Sequence, residues 1–260
     1  EARGCILFYF ARMPRKPRKI KLIVNADDLG ICAERDAGIM YVFGRSVITG
    51  SSLLINGDHA EAAVTWAADV GLRLGIHLNL TEGPPVSDPA LVPSLVALKN
   101  SNWHNPLPNG EKRHQFLGRP TLLESLFNGN VSMEHVATEI NAQFRKFISV
   151  VGYSPMHMDG HNHVHIFPGI AAVVARIAAS YGVRNVRIPN EPRSCYVVIY
   201  PPARIHFYDQ VCTHAPAARP VYSDEGLTAP RFIGLGLVGA GLSPDRLRMC
   251  LRRVALTGRA

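Results

Sequence analysis

The 260-residue chain has few of the features that mark several common protein classes. Its five cysteines are widely spaced, odd in number and without a Cys-x-x-Cys pair, so neither a disulfide framework nor a cysteine zinc finger is indicated. No apolar run approaches the roughly 18 residues that a membrane helix needs. The short apolar stretch at 5–11 is followed, not preceded, by basic residues, which is unlike a secretory signal. We therefore expect a cytoplasmic protein without a membrane partner.

Charge is also scarce, because only 18% of the residues are charged whereas 47% are hydrophobic, as in a globular protein with a large core. The net charge of +8 lies at the two ends of the chain. Residues 1–21 contain seven basic residues and one acidic residue, and residues 231–260 contain six basic residues and one acidic residue. The segment between them, 22–230, contains 15 basic and 18 acidic residues. No nucleic-acid-binding module is recognisable, so we expect no nucleic-acid partner. A phosphoesterase ranks lower because no phosphate-binding glycine loop accompanies the motifs.

Strand-like and helical patterns alternate along the chain, which predicts βα units and a parallel sheet or barrel within one domain. Residues 81–115 and 189–230 are rich in proline and are predicted to be irregular. The predicted strands are 21–25, 47–55, 72–80, 156–158, 185–188 and 231–235, and the predicted helices are 33–44, 60–70, 132–151, 168–181 and 243–256.

Two motifs carry candidate catalytic groups, one at the end of a predicted strand and one inside a predicted strand. Asp27 and Asp28 follow the first predicted strand, and two adjacent carboxylates can supply one metal ligand and one general base. A helix N-cap beside a solvated acid is the structural alternative. His77 lies inside the third predicted strand, where a neutral imidazole can bind a metal, although a buried core histidine is the simpler explanation of that residue alone.

The third motif is His157-Met-Asp-Gly-His-Asn-His-Val-His165, with four histidines in nine residues. Alternation would place these rings and Asp159 on one face of an extended segment. A metal site explains such a cluster better than core packing does, and because the strand is expected to end near Gly160, only one or two rings should bind the ion. Carboxylate and imidazole ligands suit a catalytic divalent ion, whose identity the spacing leaves open.

These motifs resemble those of the YdjC-like carbohydrate deacetylases, which include chitooligosaccharide deacetylases. The matching pieces are 22–30, 50–57, 75–79, 81–85 and 157–168, with a looser match at 187–189 and 232–235. The resemblance implies an irregular (β/α) TIM-like barrel with about seven strands. It also implies a metal-dependent hydrolase that removes acetyl groups from N-acetylated sugars or oligosaccharides and releases acetate and an amino sugar. Mg²⁺ is the expected ion, with Zn²⁺ as the alternative.

The resemblance also implies roles for individual residues. Asp27 would be the general base, and Asp28, His77 and His161 would hold the metal. A protonated group among His161–His165 would donate the proton to the leaving amine. The residues expected to face the substrate or to orient the ligands are Asn25, Asn79, Asp159, His163, His165 and Arg187.

The ends of the chain differ from the family pattern. We expect residues 1–19 to be a disordered basic extension and residues 20–260 to be a C-terminally truncated deacetylase domain, because family members usually continue beyond the helix at 243–256 into a His-Pro-Gly-like segment. The alternative function is therefore a catalytically impaired, truncated relative that binds sugars. A homodimer is left open.

Overall fold

A computed structural model describes residues 21–256 except for 104, 198 and 240–241, so the expected extension at 1–19 lies outside the described residues. The strands are β1 (Asn25–Leu29), β2 (Gly50–Leu53), β3 (Leu74–Leu78), β4 (Val96–Lys99), β5 (Ser101–Asn102), β6 (Asn105–Pro106), β7 (Arg113–Phe116) and β8 (Met158–Gly160). The helices are α1 (Ala33–Phe43), α2 (Ala60–Asp69), α3 (Arg119–Phe127), α4 (Met133–Val151), α5 (Ile170–Ser180), α6 (Pro202–Asp224) and α7 (Pro244–Leu256).

A four-stranded parallel sheet in the order β1-β2-β3-β8 forms the centre of this α/β fold. Every residue of β2, β3 and β8 is buried. Such continuous burial is typical of parallel strands with structure packed on both faces. The register places His77 of β3 directly beside Asp159 of β8. Two groups that are 82 residues apart in the chain therefore become neighbours at the carboxyl ends of adjacent strands.

Helix α4 agrees closely with its prediction. Ser132 caps its N-terminus by accepting a hydrogen bond from the His135 backbone N–H at 3.4 Å, and Gly152 ends it in the left-handed conformation (φ 84°). One stripe of the helix is buried, formed by Val136, Ile140, Phe144 and Phe147. The periodicity of these apolar residues therefore predicts both the helix and the face that packs on the core.

The described residues contain no closed sheet, so the expected barrel of about seven strands is not confirmed. Beyond β8 the parallel pairing continues only as single bridges, from Met158 to Val186 and from Asn185 to Thr228. The strand expected at 231–235 is absent. The backbone N–H of Gly234 donates instead to the Glu191 carboxylate, as does that of Gly236 directly after the expected strand, so Gly234 cannot donate to a neighbouring strand.

Other strand boundaries differ from the predictions by a few residues. β1 begins at Asn25, where the predicted strand ends. The apolar residues that suggested the earlier position are not part of the core, since Leu22 is 51% exposed and Ile23 is 69% exposed. β8 likewise begins at Met158, where the predicted strand 156–158 ends. The candidate carboxylates and histidines therefore lie within the strands or directly after them.

The two proline-rich stretches are more regular than predicted. Residues 81–115 contain the antiparallel pair β4–β7. Residues 202–224 form α6, a helix of 23 residues with Pro216 and Pro220 inside it. Prolines inside a helix cost roughly 3 kcal/mol each, but α6 buries Phe207 and Tyr222 among other side chains, and this packing outweighs the cost. Neither α6 nor any other described helix is long and apolar enough to cross a membrane.

Candidate metal centre and active site

An irregularity in β1 brings Asp27 and Asp28 to the same site. Neighbouring side chains of a regular strand point to opposite faces of the sheet. Here the register with β2 shifts between Ala26 and Leu29, and Asp28 adopts a left-handed backbone conformation with φ 66°. This bulge lets both carboxylates reach groups carried by the ends of β3 and β8.

Asp28, His77 and His161 converge as expected for three metal ligands. Oδ1 of Asp28 lies 2.8 Å from Nδ1 of His161 and 3.1 Å from Nε2 of His77. One ligand atom from each of the three side chains lies within 4.8 Å of the others. The second oxygen of Asp28 accepts a 2.6 Å hydrogen bond from Arg35.

Asp159 orients the His77 ring from the side opposite Asp28. Its Oδ1 lies 2.6 Å from Nδ1 of His77, which leaves Nε2 facing Asp28. Asp159 is buried, and its other oxygen accepts hydrogen bonds from Ser52 at 3.1 Å and pairs with Arg187 at 3.0 Å. A carboxylate behind an imidazole is the arrangement that fixes the tautomer of metal-binding histidines.

Asp27 lies at the exposed side of this cluster. Its Oδ1 accepts hydrogen bonds from Nη1 of Arg187 at 2.6 Å and from Nδ2 of Asn25 at 2.8 Å. The Asn25 amide also reaches Asp159 at 3.3 Å, so one side chain positions both carboxylates. Asp27 retains 36% side-chain exposure, which makes it accessible to water and substrate, whereas Asp159 is enclosed.

The protonation of the site follows from these contacts. Burial alone would raise the pKa of Asp28, but hydrogen bonds from His161 and His77 hold it well below the usual carboxyl range. Burial would lower the pKa of His77, but the Asp159 carboxylate raises it to about 10. The pKa of Asp159 is low because Arg187 and His77 outweigh the effect of burial. The cluster therefore concentrates ionised carboxylates around imidazole rings.

The prediction that the histidines of 157–165 alternate on one face is wrong beyond Gly160. Residues His161–Ile166 form a tight 3₁₀ turn, and Asn162 and His163 have positive φ values of 50° and 55°. The turn directs the His163 ring onto Phe207, where the two rings stack with centroids 6.2 Å apart. Only the first ring of the turn, His161, reaches Asp28.

His165 supports the turn from behind. Its Nε2 donates a 2.7 Å hydrogen bond to the Arg187 carbonyl, and its ring packs so closely on Gly160 that a Cβ there would lie 2.4 Å from Nδ1. Burial lowers the pKa of His165 to about 4 and that of His163 well below its usual value. Both rings are therefore neutral at pH 7 and poorly suited to donate a proton to a leaving group.

Glu82 is the main site residue that the sequence analysis did not assign. Its Oε2 lies 3.1 Å from Nε2 of His161, on the side of that ring away from Asp28. Asn79 builds the turn that carries it, because the Asn79 Oδ1 accepts hydrogen bonds from the backbone N–H groups of Thr81 at 2.9 Å and of Glu82 at 3.1 Å. Asn79 is buried, so its contacts position this turn. The available signal was its place in the matching piece 81–85, since no periodic pattern marks it.

A cavity of about 390 Å³ opens beside Glu82. This volume is within the range of small-molecule binding sites. The ring of Trp103 lies against Gly83 at its wall, where an added Cβ would come within 2.4 Å of the ring. The cavity is lined by Thr81, Glu82, Gly83, Lys99, Trp103 and Arg119, among other residues. It offers aromatic side chains, Trp103 and Phe116, together with several charged and polar groups.

The donor chemistry of the cluster fits a divalent cation. Asp28, His77 and His161 supply one oxygen and two nitrogens, and a carboxylate supports each ring from behind, Asp159 at His77 and Glu82 at His161. Such a mixed oxygen and nitrogen set is typical of catalytic metal sites. This geometry favours a role in metal binding and catalysis for Asp27 and Asp28 over the structural alternative of a helix N-cap.

Comparison with known proteins finds similar carbohydrate deacetylases. A carbohydrate deacetylase of Mus musculus is 37% identical over 238 residues, which cover 90% of this chain and 72% of that protein. A chitooligosaccharide deacetylase of Salmonella paratyphi B is 33% identical over 163 residues, which cover 62% of this chain and 57% of that protein.

The fold recurs in a solved structure from Enterococcus faecalis, provisionally named a cellobiose-phosphate cleavage protein. The two structures superpose with a TM-score of 0.65 and 22% sequence identity, and the match covers 89% of this chain and 74% of that one. At this identity the likeness concerns the fold. The family model described as YdjC-like protein matches residues 21–258, which is nearly the whole chain. The chain therefore belongs to the YdjC-like protein family.

Proposed function

We propose that this chain is a metal-dependent carbohydrate deacetylase that hydrolyses the acetamide of N-acetylated sugars or oligosaccharides to acetate and an amino sugar. The observation that carries the proposal is the placement of Asp27, accessible and held by Arg187, next to the Asp28–His77–His161 cluster. The names of the mouse and Salmonella relatives support the same chemistry.

Asp28, His77 and His161 would hold the ion. A divalent cation bound there would supply Lewis-acid polarisation of the acetamide carbonyl and would lower the pKa of a water molecule. Of the two ions expected from the sequence, two imidazoles with one carboxylate favour Zn²⁺, because Mg²⁺ prefers oxygen ligands.

Asp27 acts as the general base in this proposal. Hydrogen bonds from Asn25 and Arg187 fix its Oδ1, which leaves Oδ2 to accept a proton from the attacking water. The water oxygen bonds to the carbonyl carbon, and the C–N bond then breaks. The leaving nitrogen takes up the proton held by Asp27, because His163 and His165 are buried and neutral at pH 7. One carboxyl thus serves as base and then as acid.

Substrate recognition is assigned to the cavity beside Glu82. Its volume of about 390 Å³ suits one or two sugar rings. The flat face of Trp103 offers apolar contact to a pyranose ring, while Lys99 and Arg119 supply hydrogen-bond donors for hydroxyl groups.

The competing interpretation, a sugar-binding relative without turnover, would be favoured by the loss of a ligand or of the base. Asp28 contacts both His77 and His161, and Asp27 is held beside them by Arg187, so none of the four residues is missing. The deacetylase is therefore the function that these residues support best.

The test measures acetate released from N-acetylated chito-oligosaccharides by the full chain, after metal removal and after addition of Zn²⁺ or Mg²⁺. Asp27→Asn should abolish acetate release and still bind metal, whereas His77→Ala should lose the metal as well. Asp69→Asn, an exposed carboxylate at the end of α2, is the matched control and should behave as wild type. Full activity in both site variants would contradict the proposal.

A further inference from the structure

A second cluster of metal-binding side chains lies outside the site described above. It consists of Glu191, Cys195 and Cys250, all buried, with one ligand atom of each within 4.8 Å of the others. Cys195 belongs to a short 3₁₀ turn (Arg193–Cys195), and Cys250 lies on α7. The cluster therefore joins the segment that follows Arg187 to the last helix described.

Glu191 shows that this cluster is unusual for a packed core. The residue is only 2% exposed. Its Oε2 accepts hydrogen bonds from the backbone N–H groups of Gly236 at 3.1 Å and Gly234 at 3.4 Å, which fixes the carboxyl group. Its Oε1 is buried with no hydrogen-bond partner among the described residues. A buried acceptor without a partner is costly, and a bound cation would satisfy it.

The charges around the cluster also suit a cation. Two thiolates and one carboxylate carry a charge of −3, which a divalent ion reduces to −1. The Arg246 guanidinium supplies the remaining positive charge, since it donates hydrogen bonds to the Cys195 carbonyl and, at 3.3 Å, to the Gly236 carbonyl. The assembled site would therefore be neutral, as a buried ionic cluster requires.

We propose that Glu191, Cys195 and Cys250 form a structural Zn²⁺ site, separate from the catalytic cluster, that anchors α7 to the segment beyond Arg187. Thiolate ligands select Zn²⁺ over Mg²⁺. Binding replaces the S–H protons of both cysteines, so each ion bound releases two protons from the thiols and forms two Zn–S bonds. No oxidation is involved, because the zinc ion and both sulfur atoms keep their oxidation states.

Cobalt provides a probe that separates the two sites. Co²⁺ bound by thiolates gives an intense sulfur-to-metal charge-transfer absorption, whereas the oxygen and nitrogen ligands of Asp28, His77 and His161 give none. The full chain, purified reduced and metal-free without oxygen, is titrated with Co²⁺. We expect the charge-transfer band to saturate at one equivalent of thiolate-bound cobalt and to be displaced by added Zn²⁺.

Variants then identify the residues that give rise to the charge-transfer band. Cys195→Ser or Cys250→Ser should remove it, and Glu191→Gln should weaken the cobalt affinity at least about tenfold while keeping the size of the side chain. Cys212→Ser is the matched control, because that thiol lies 3.3 Å from the Glu191 carbonyl but outside the cluster. His77→Ala should retain the band, so a failure of the proposed deacetylase activity would leave this result unaffected.

Several results would overturn the assignment. Absence of the band in protein with a native circular dichroism spectrum would exclude a thiolate site. A band that survives Cys250→Ser or disappears in Cys212→Ser would place the thiolates elsewhere. Equal cobalt affinity of Glu191→Gln and wild type would remove the carboxylate from the ligand set, and this variant remains informative if a cysteine variant does not fold.

Discussion

Replacing Asp159 by asparagine is the sharpest test of the proposed metal site. The change keeps the size of a buried side chain and removes one charge. Oδ2 of Asp159 faces three donors, Ser52, Asn25 and Arg187, so the amide oxygen should take that position. The amide NH₂ group must then face the ring of His77, where Oδ1 now lies 2.6 Å from Nδ1.

The consequence is a change of tautomer. An NH₂ group donates to Nδ1, which places the ring proton on Nε2, the nitrogen that faces Asp28. Metal binding through Nε2 requires the ring proton on Nδ1, where the wild-type carboxylate accepts it and an amide NH₂ group cannot, so the variant opposes the metal-binding form of the ring. Loss of the partner of a ligating histidine typically costs about 10–100-fold in metal affinity, or about 1.4–2.7 kcal/mol. We expect at least this loss.

Stability should fall as well. The carboxylate makes short contacts to two charged groups, His77 and Arg187, and each such hydrogen bond contributes about 1.5–3 kcal/mol. A loss of about 3 kcal/mol would lower the Tm by about 6–12 °C in a domain of this size. This is less than the usual total stability of about 5–15 kcal/mol, so the variant should still fold at room temperature.

The assay is calorimetric titration of the metal-free protein with Zn²⁺, accompanied by a thermal melt. Ser52→Ala is the control, because it removes one donor to the same carboxylate but preserves the tautomer of His77. It should lose about 1 kcal/mol of stability and little zinc affinity. Wild-type zinc affinity in Asp159→Asn would refute the reasoning and would remove His77 from the proposed ligand set.

Two further predictions concern stability. Gly57→Ala places a Cβ 2.1 Å from the Gly30 carbonyl oxygen and should lower the free energy of unfolding in urea by about 3 kcal/mol. Gly38→Ala, in open space on α1, is the control and should raise the free energy of unfolding by about 0.5–1 kcal/mol. Equal effects of the two changes would contradict the close packing at Gly57. His165 has a pKa of about 4 when folded and about 6.5 when unfolded, so the unfolded state binds the proton first as the pH falls. Lowering the pH from 7 to 5 should therefore remove about 2 kcal/mol of stability, and His165→Gln should show a smaller loss in parallel unfolding curves.

The sequence was most informative where chemistry is local. Residue type and position along the predicted strands singled out three motifs, and the resemblance to the YdjC-like family implied Asp28, His77 and His161 within them; the structure brings these three side chains together. Glu82 was not assigned because a loop without periodicity carries it, and only the turn built by Asn79 directs it to His161. Contacts made by irregular backbone leave no pattern that spacing can reveal.

The failures have equally specific causes. Alternation predicts that His161, His163 and His165 share a face, but positive φ values at Asn162 and His163 turn the chain, and few non-glycine residues adopt that conformation. α6 was missed because Pro216 usually argues against a helix, and only the packing of the whole fold compensates for it. The barrel was inferred from the family resemblance, and the described residues pair as a shorter sheet.

The bulge in β1 has a consequence for how this protein can diverge. Because the extra residue between Ala26 and Leu29 decides which carboxylate meets Arg187 and which meets the imidazoles, the length of this stretch matters as much as its composition. A single-residue insertion or deletion here would exchange the two carboxylates or turn one toward the opposite face of the sheet. Homologous chains that share the proposed activity should therefore differ in the identity of neighbouring residues but keep the number of residues in this strand.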